Sequence, residues 1–237
     1  MAGKFGFISK FEFLQDWASS IISGINPAIT HNLEKYHALK KVHYLSAIED
    51  VDGDYLEFGV FTGSSFCHSI RCCEKLENIN QNVLKTKFFG FDSFEGFGNL
   101  SKDDDHPFYK DENFSTSLLR VNNRVGRIAK KVSFKLVPGF FSDSLMAGAR
   151  QMGIEKARII FIDSDTYSSA NEALLFCAPI VQEGTFIILD DCYSYRGNEL
   201  KGVTRAFNEF ISECRIKVRH VFNYGMGSAV YVISEKF

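Results

Sequence analysis

The chain has 237 residues, 45% apolar and 24% charged, with a net charge of −2, enough for one substantial core and without the basic footprint of a nucleic-acid binder. No stretch approaches the ~20 apolar residues of a membrane span, and the first residues lack an apolar signal core, so a cytoplasmic protein is expected. The six cysteines (Cys67, Cys72, Cys73, Cys177, Cys192, Cys214) never take CxxC spacing, which argues against zinc or thioredoxin chemistry.

Residues 1–50 read as a helical cap. Phe11, Leu14, Trp17, Ile21 and Ile22 recur at helical spacing over Phe11–Ile25, and a second helical stretch, His31–Ile48, follows the Asn26–Pro27 break. Such helices can cover a site or form a contact between copies of the chain. The pattern then changes to short apolar runs alternating with helices over residues 51–237. Strands are expected at Tyr55–Phe58, Phe88–Phe91, Phe134–Val137, Arg158–Ile162 and Thr185–Leu189. Helices are expected at Ser64–Leu76, Ser142–Met152, Ser168–Val181 and Val203–Cys214. Lys217–Phe222 and Ala229–Ile233 complete the chain as a hairpin around Tyr224–Gly227.

This alternation predicts an α/β fold with a mostly parallel seven-stranded sheet, helices on both faces and a C-terminal antiparallel hairpin. Residues 93–127 break the rhythm with the charged run Lys102–His106 and the polar stretch Lys110–Ser117, and are expected to form a lid or a surface loop. The 24 phenylalanines can fill a core or line a pocket.

Ligands of such sheets bind outside the carboxyl ends of the strands, and Glu57, Asp92, Asp163, Asp190 and Asp191 all fall there. Glu57-Phe58-Gly59-Val60-Phe61-Thr62-Gly63 joins a strand to a helix through two glycines that allow a tight turn. It lacks the third glycine of the dinucleotide fingerprint, which argues against a nicotinamide oxidoreductase. An acid at its head would repel a pyrophosphate but suits a cation such as the amino group of S-adenosylmethionine. Asp92, with Ser93 after it, is placed to accept the ribose hydroxyls of an adenosine ligand; a solvated loop acid or a helix cap is the alternative. Gly139 and Phe140, after the third strand, offer an aromatic face to an adenine.

Asp163-Ser164-Asp165 and Asp190-Asp191 follow neighbouring strands, which lie ~4.8 Å apart in a parallel sheet. Four carboxylates in one crevice repel one another unless a hard cation such as Mg²⁺ joins them. The alternative is that some of them cap the following helices. Tyr167, Tyr193 and Tyr195 lie beside this cluster and can touch a substrate or simply pack, and His31 can begin a helix.

The segments Tyr55–Phe66, Phe89–Phe97, Val137–Leu145, Phe161–Leu174 and Ile188–Phe210, spread over roughly residues 50–235, resemble the macrocin O-methyltransferase family of metal-dependent sugar methyltransferases. The resemblance implies a Rossmann-like class I methyltransferase fold, with S-adenosylmethionine and Mg²⁺ as cofactors. It implies that Glu57, Gly59 and Gly63 hold the methionine part of the cofactor and Asp92 its ribose. Asp163, Asp190 and Asp191 would be the metal ligands and Asp165 the general base; relatives with a histidine base have their counterpart here in Thr166. The acceptor is then a sugar or glycan with adjacent hydroxyls, and a homo-oligomer is expected. Two other readings use the same residues: a catechol-type O-methyltransferase, and a non-catalytic cofactor-binding protein.

Overall fold

The computed structural model describes residues 10–98, 100–109 and 114–237; residues 1–9 of the expected cap, and 99 and 110–113 of the expected lid, lie outside these. Two helices come first, α1 (Glu12–Gly24) and α2 (Pro27–Ile48). The Asn26–Pro27 pair starts α2 as well as separating it from α1. Asn26 accepts the Ala28 amide at 2.9 Å, and Pro27 takes the first turn, where no amide donor is needed. None of α1 is buried, and it leaves Phe13, Trp17 and Ile22 facing solvent.

β1 (Asp54–Phe58), α3 (Ser64–Lys75), β2 (Phe88–Asp92), α4 (Leu118–Gly126) and β3 (Phe134–Pro138) follow, then the single turn α5 (Phe141–Ser144). β4 (Ala157–Ile162), α6 (Tyr167–Cys177), β5 (Phe186–Leu189), α7 (Gly202–Cys214), β6 (Ile216–Tyr224) and β7 (Ser228–Lys236) complete the chain. The seven strands form one sheet in the order β3-β2-β1-β4-β5-β7-β6, parallel except that β7 runs antiparallel to both β5 and β6. The expected architecture is therefore present, with its topological switch between β1 and β4.

The central strands β1, β2, β4 and β5 are buried on both faces, and alternation decides which side chain meets which helices. Leu56, Phe58, Ile160, Ile162, Ile187 and Leu189 pack with α6 and α7, whereas Tyr55, Ile159, Phe161, Phe186 and Ile188 pack with α2, α3 and α4. Most of the phenylalanine in the sheet is core. Phe58 and Phe91 stack at 4.8 Å, with Phe176 edge-on to both; each buried ring contributes about 1.5–3 kcal/mol.

Three sequence expectations need correction. Ser142–Met152 is not one helix: the backbone leaves helical geometry at Gly148, φ +76°, between α5 and a short 3₁₀ turn at Arg150–Met152. α6 ends at Cys177, ahead of Pro179, which has no amide to continue it. The 93–127 segment contains α4, whose Val121 and Val125 are buried against the sheet's helical cover.

Candidate active site

The alternation that sorts the core also aims the acids. Carried one residue past β4 and β5, it turns Asp163 and Asp190 toward the α2 side of the sheet, following Phe161 and Ile188. Asp163, Asp190 and Asp191 each bring a carboxylate oxygen within 4.8 Å of the others. None of the three caps a helix. Thr166 caps α6 through the Ser169 amide at 3.3 Å, and α7 begins well downstream, after Lys201. Asp165 sits in a tight turn at φ +62°, a left-handed geometry that aspartate tolerates, closed by the Thr166 amide on the Ser164 carbonyl at 2.6 Å.

Asp190 is the anchored member. Its Oδ1 accepts from the Tyr224 hydroxyl at 2.5 Å, and its Oδ2 lies 2.7 Å from the Lys35 ammonium and 3.1 Å from His31 Nε2. Ser228 adds a hydrogen bond to the Asp190 carbonyl. His31 Nδ1 accepts the Met226 amide at 3.1 Å, which leaves Nε2 as the donor to Asp190. Lys35 also reaches Asp163 Oδ2 at 2.9 Å. Asp191 is held from the expected lid: the Tyr109 hydroxyl donates to its Oδ1 at 2.9 Å and meets Ser194 Oγ at 2.6 Å.

The electrostatics separate these acids. Burial pushes Asp190 up, but the Lys35 charge and the His31 hydrogen bond overcome it and hold the carboxyl well below its usual range. Burial and the neighbouring charge of Asp190 push Asp163 well above that range. Burial and the charge of Asp191 do the same to Asp165, which is hydrogen-bonded to Asp191. Four carboxyls against one ammonium carry more negative charge than the site can hold. Oxygen donors on adjacent strand ends with excess negative charge are the donor set a hard divalent cation takes, so the residues fit such an ion.

The second group lines the ends of β1, β2 and β3. Gly59 (φ +95°) and Gly63 (φ +77°) adopt conformations that glycine accepts freely. At Gly59 a side chain is also excluded by space, since a Cβ would lie 1.8 Å from the Asp163 carbonyl oxygen. The glycine turn and the acid cluster are thus in direct contact. Asp92 is neither a solvated acid nor a helix cap: its Oδ2 accepts the Val60 and Phe61 amides, each at 2.7 Å, and its Oδ1 the Phe94 amide at 2.6 Å. Ser93 Oγ closes the next turn onto the Gly96 carbonyl at 2.7 Å. The Gly139 amide joins the Asp92 carbonyl at 3.0 Å, and the half-exposed Phe140 ring lies against Gly98. Glu57 is buried beneath the turn rather than facing the crevice. It accepts hydrogen bonds from Tyr55 and from Ser65 at 2.6 Å, and burial raises its pKa to about 7.

The sequence did not identify Lys35, Tyr109 or Tyr224 as parts of the site, and read His31 only as a helix start. His31 and Lys35 stand four residues apart, on one helical face, which was a visible signal without a visible partner. Of the three tyrosines singled out, Tyr167 turns away to Glu209 at 2.7 Å, Tyr195 donates to the Asp104 carbonyl at 3.1 Å, and Tyr193 is half exposed. A cavity of about 610 Å³ lies between α2 and α3 instead, lined by Lys40, Arg71 and Lys75 and by none of the expected site residues.

The strand order and the acids at the switch point define a class I methyltransferase architecture. The macrocin-O-methyltransferase (TylF) family model matches residues 16–221, and the chain belongs to that family and is an O-methyltransferase. It is 28% identical over 201 residues to mycinamicin III 3''-O-methyltransferase of Micromonospora griseorubida, covering 78% of this chain and 74% of that one. Among solved structures it is similar to the calicheamicin methyltransferase CalS11, with TM-score 0.67, 17% identity and 85% and 79% of the two chains covered. It is also similar to the O-methyltransferase TomG of Streptomyces achromogenes, involved in tomaymycin synthesis and solved in complex with SAM, with TM-score 0.50, 13% identity and 84% and 80% coverage. The family excludes the non-catalytic reading. Among the described residues no helix is long and apolar enough to cross a membrane.

Proposed function

We propose that the protein transfers a methyl group from S-adenosylmethionine to a sugar hydroxyl that has a second hydroxyl beside it, with a divalent cation such as Mg²⁺ at the acid cluster. The observation that carries this reading is the convergence of Asp163, Asp190 and Asp191 within 4.8 Å, in contact with the glycine turn. The names of two relatives, a mycinamicin 3''-O-methyltransferase and a calicheamicin methyltransferase, support a glycosylated natural product as acceptor. The complex of TomG with SAM supports the cofactor.

In this reading Gly59 and Gly63 shape the turn that receives the methionine end of the cofactor, with Glu57 beneath it bracing the turn through Tyr55 and Ser65. Asp92 and Ser93 serve the ribose, and Gly139 and Phe140 the adenine. Asp163, Asp190 and Asp191 would hold the cation, which when bound lowers the pKa of an acceptor hydroxyl. Asp165, two residues past Asp163 and hydrogen-bonded to Asp191, takes the hydroxyl proton. The cofactor's methyl is already electrophilic, so the remaining task of the protein is to align the oxygen with it. α2 covers this edge of the sheet through His31 and Lys35, and residues 93–127 act as the lid through Tyr109. The bare apolar face of α1, which carries Glu12 and Asp16 and no basic residue, suits a second copy of the chain better than an anionic membrane surface.

The test is transfer of labelled methyl from S-adenosylmethionine to a panel of deoxysugar glycosides, nucleotide sugars and catechols, with and without chelator. Chelator-sensitive methylation of a vicinal sugar diol is expected. Turnover confined to catechols, or indifferent to chelator, would overturn the reading.

A further inference from the structure

Lys35 has no role in the reading above, yet it holds the centre of the acid cluster. Its ammonium is 2.7 Å from Asp190 Oδ2 and 2.9 Å from Asp163 Oδ2, and its side chain is only 10% exposed. Among the described residues it is the one lysine or arginine within ion-pair reach of any of the four acids. The helix that carries it is fixed. One turn earlier His31 grips both Asp190 and the Met226 amide, and Glu34 accepts the Gly225 amide at 2.6 Å. The ammonium lies 5.6 Å from the centre of the Phe161 ring. A lysine on a fixed helix keeps a four-carbon stem whose end can swing without moving the backbone.

The hydrogen bonds of Asp190 show what this means for a divalent ion. Tyr224 and Ser228 occupy Oδ1, while Oδ2 is shared by His31 and Lys35. The Tyr224 and His31 bonds tie β6 and α2 to the site, so Lys35 is the donor that can leave at least structural cost. Its departure also frees Asp163 Oδ2.

Resting on the metal reading above, we propose that Lys35 is the resident cation of this site: it holds Asp163 and Asp190 together in the metal-free protein and gives up both carboxylates when a divalent cation binds. The lysine thereby preforms the ligand pair and, as a competitor, sets how tightly the ion is held. It is a positioning residue, because its action on the reaction passes through the two aspartates.

The experiment is calorimetric titration of Mn²⁺ into chelator-treated wild type, Lys35→Met and Lys35→Arg, with thermal melts of each in EDTA and in saturating Mn²⁺. Removing the competitor should tighten Mn²⁺ binding by about tenfold or more in Lys35→Met, a change of the size expected for altering the partner of a metal ligand. The same variant should melt below wild type in EDTA and gain more from Mn²⁺ than wild type does. Lys35→Arg keeps the charge in a forked, less mobile group and should weaken Mn²⁺ binding by a similar factor. If wild type binds Mn²⁺ and Lys35→Met binds it no more tightly, the resident-cation role is wrong while the metal site stands. If Lys35→Met does not fold, wild-type affinity in Lys35→Arg overturns the role. If none of the three proteins binds Mn²⁺, the metal reading fails and this inference fails with it.

Discussion

Tyr109 donates its phenol hydrogen to Asp191 at 2.9 Å across 82 residues of sequence, tying the segment between β2 and α4 to the end of β5. The ring is buried, and stacks on His106 at 4.2 Å. An acid of the cluster is therefore oriented by a residue of the segment expected to cover it. Replacing Tyr109 with Phe keeps the ring and removes the hydrogen bond, at a cost of about 1.5–3 kcal/mol for a bond to a charged partner. Mn²⁺ affinity and kcat/KM should both fall by about tenfold. Unchanged values for both would make the contact incidental.

Gly59 joins the two halves of the site. A Cβ there would meet the Asp163 carbonyl at 1.8 Å, and the residue's φ of +95° is strained for any L side chain. Gly59→Ala should lower stability to urea by about 3 kcal/mol or more. Gly148→Ala is the control: φ is +76°, but nothing lies within 4 Å of the added methyl, so only backbone strain remains, about 1 kcal/mol. Equal losses in the two variants would show that the contact with Asp163 is not what excludes a side chain.

Glu57 gives a pH dependence of definite sign. Its folded pKa is raised from 4.5 to about 7, chiefly by burial, so between these values the folded state holds a proton that the unfolded state has released. Its contribution to stability therefore falls as pH rises from about 4.5 to 7 and is level above that, by about 3 kcal/mol in all. Glu57→Gln removes that slope. Denaturation of both proteins from pH 5 to 8.5 should show the variant gaining on wild type as pH rises. A constant difference would mean that Glu57 is ionised throughout.

Asp165→Asn separates binding from chemistry. If Asp165 is the base, Mn²⁺ and S-adenosylhomocysteine affinities stay near wild type while kcat falls by about 10²–10⁴. A wild-type kcat would move the base to another residue.

Much of the framework was legible because it depends on local periodicity. Seven apolar runs became seven strands, and the acids after β4 and β5 were visible as a cluster because each directly follows a strand. What surrounds them was not legible. Lys35 is 128 residues from Asp163, and Tyr224 is 34 from Asp190; nothing local in either segment names its partner. Glu57 was found in its motif, but its burial depends on the Tyr55 and Ser65 hydroxyls meeting beneath the turn. The apolar spacing over Ser142–Met152 suggests one helix, but Gly148 at φ +76° separates α5 from the 3₁₀ turn at Arg150–Met152. α4 was missed although Leu118, Val121 and Val125 recur at helical spacing, because the surrounding charge was read as loop.

The most direct test of the central claim is calorimetry of chelator-treated protein with S-adenosylhomocysteine and with Mg²⁺, in wild type and Asp190→Asn. Both proteins should bind S-adenosylhomocysteine, and only wild type should bind Mg²⁺ at a single strong site. Wild type that binds the cofactor product but no Mg²⁺, or an Asp190→Asn variant that binds Mg²⁺ as wild type does, would contradict the assignment of the acid cluster as the metal centre.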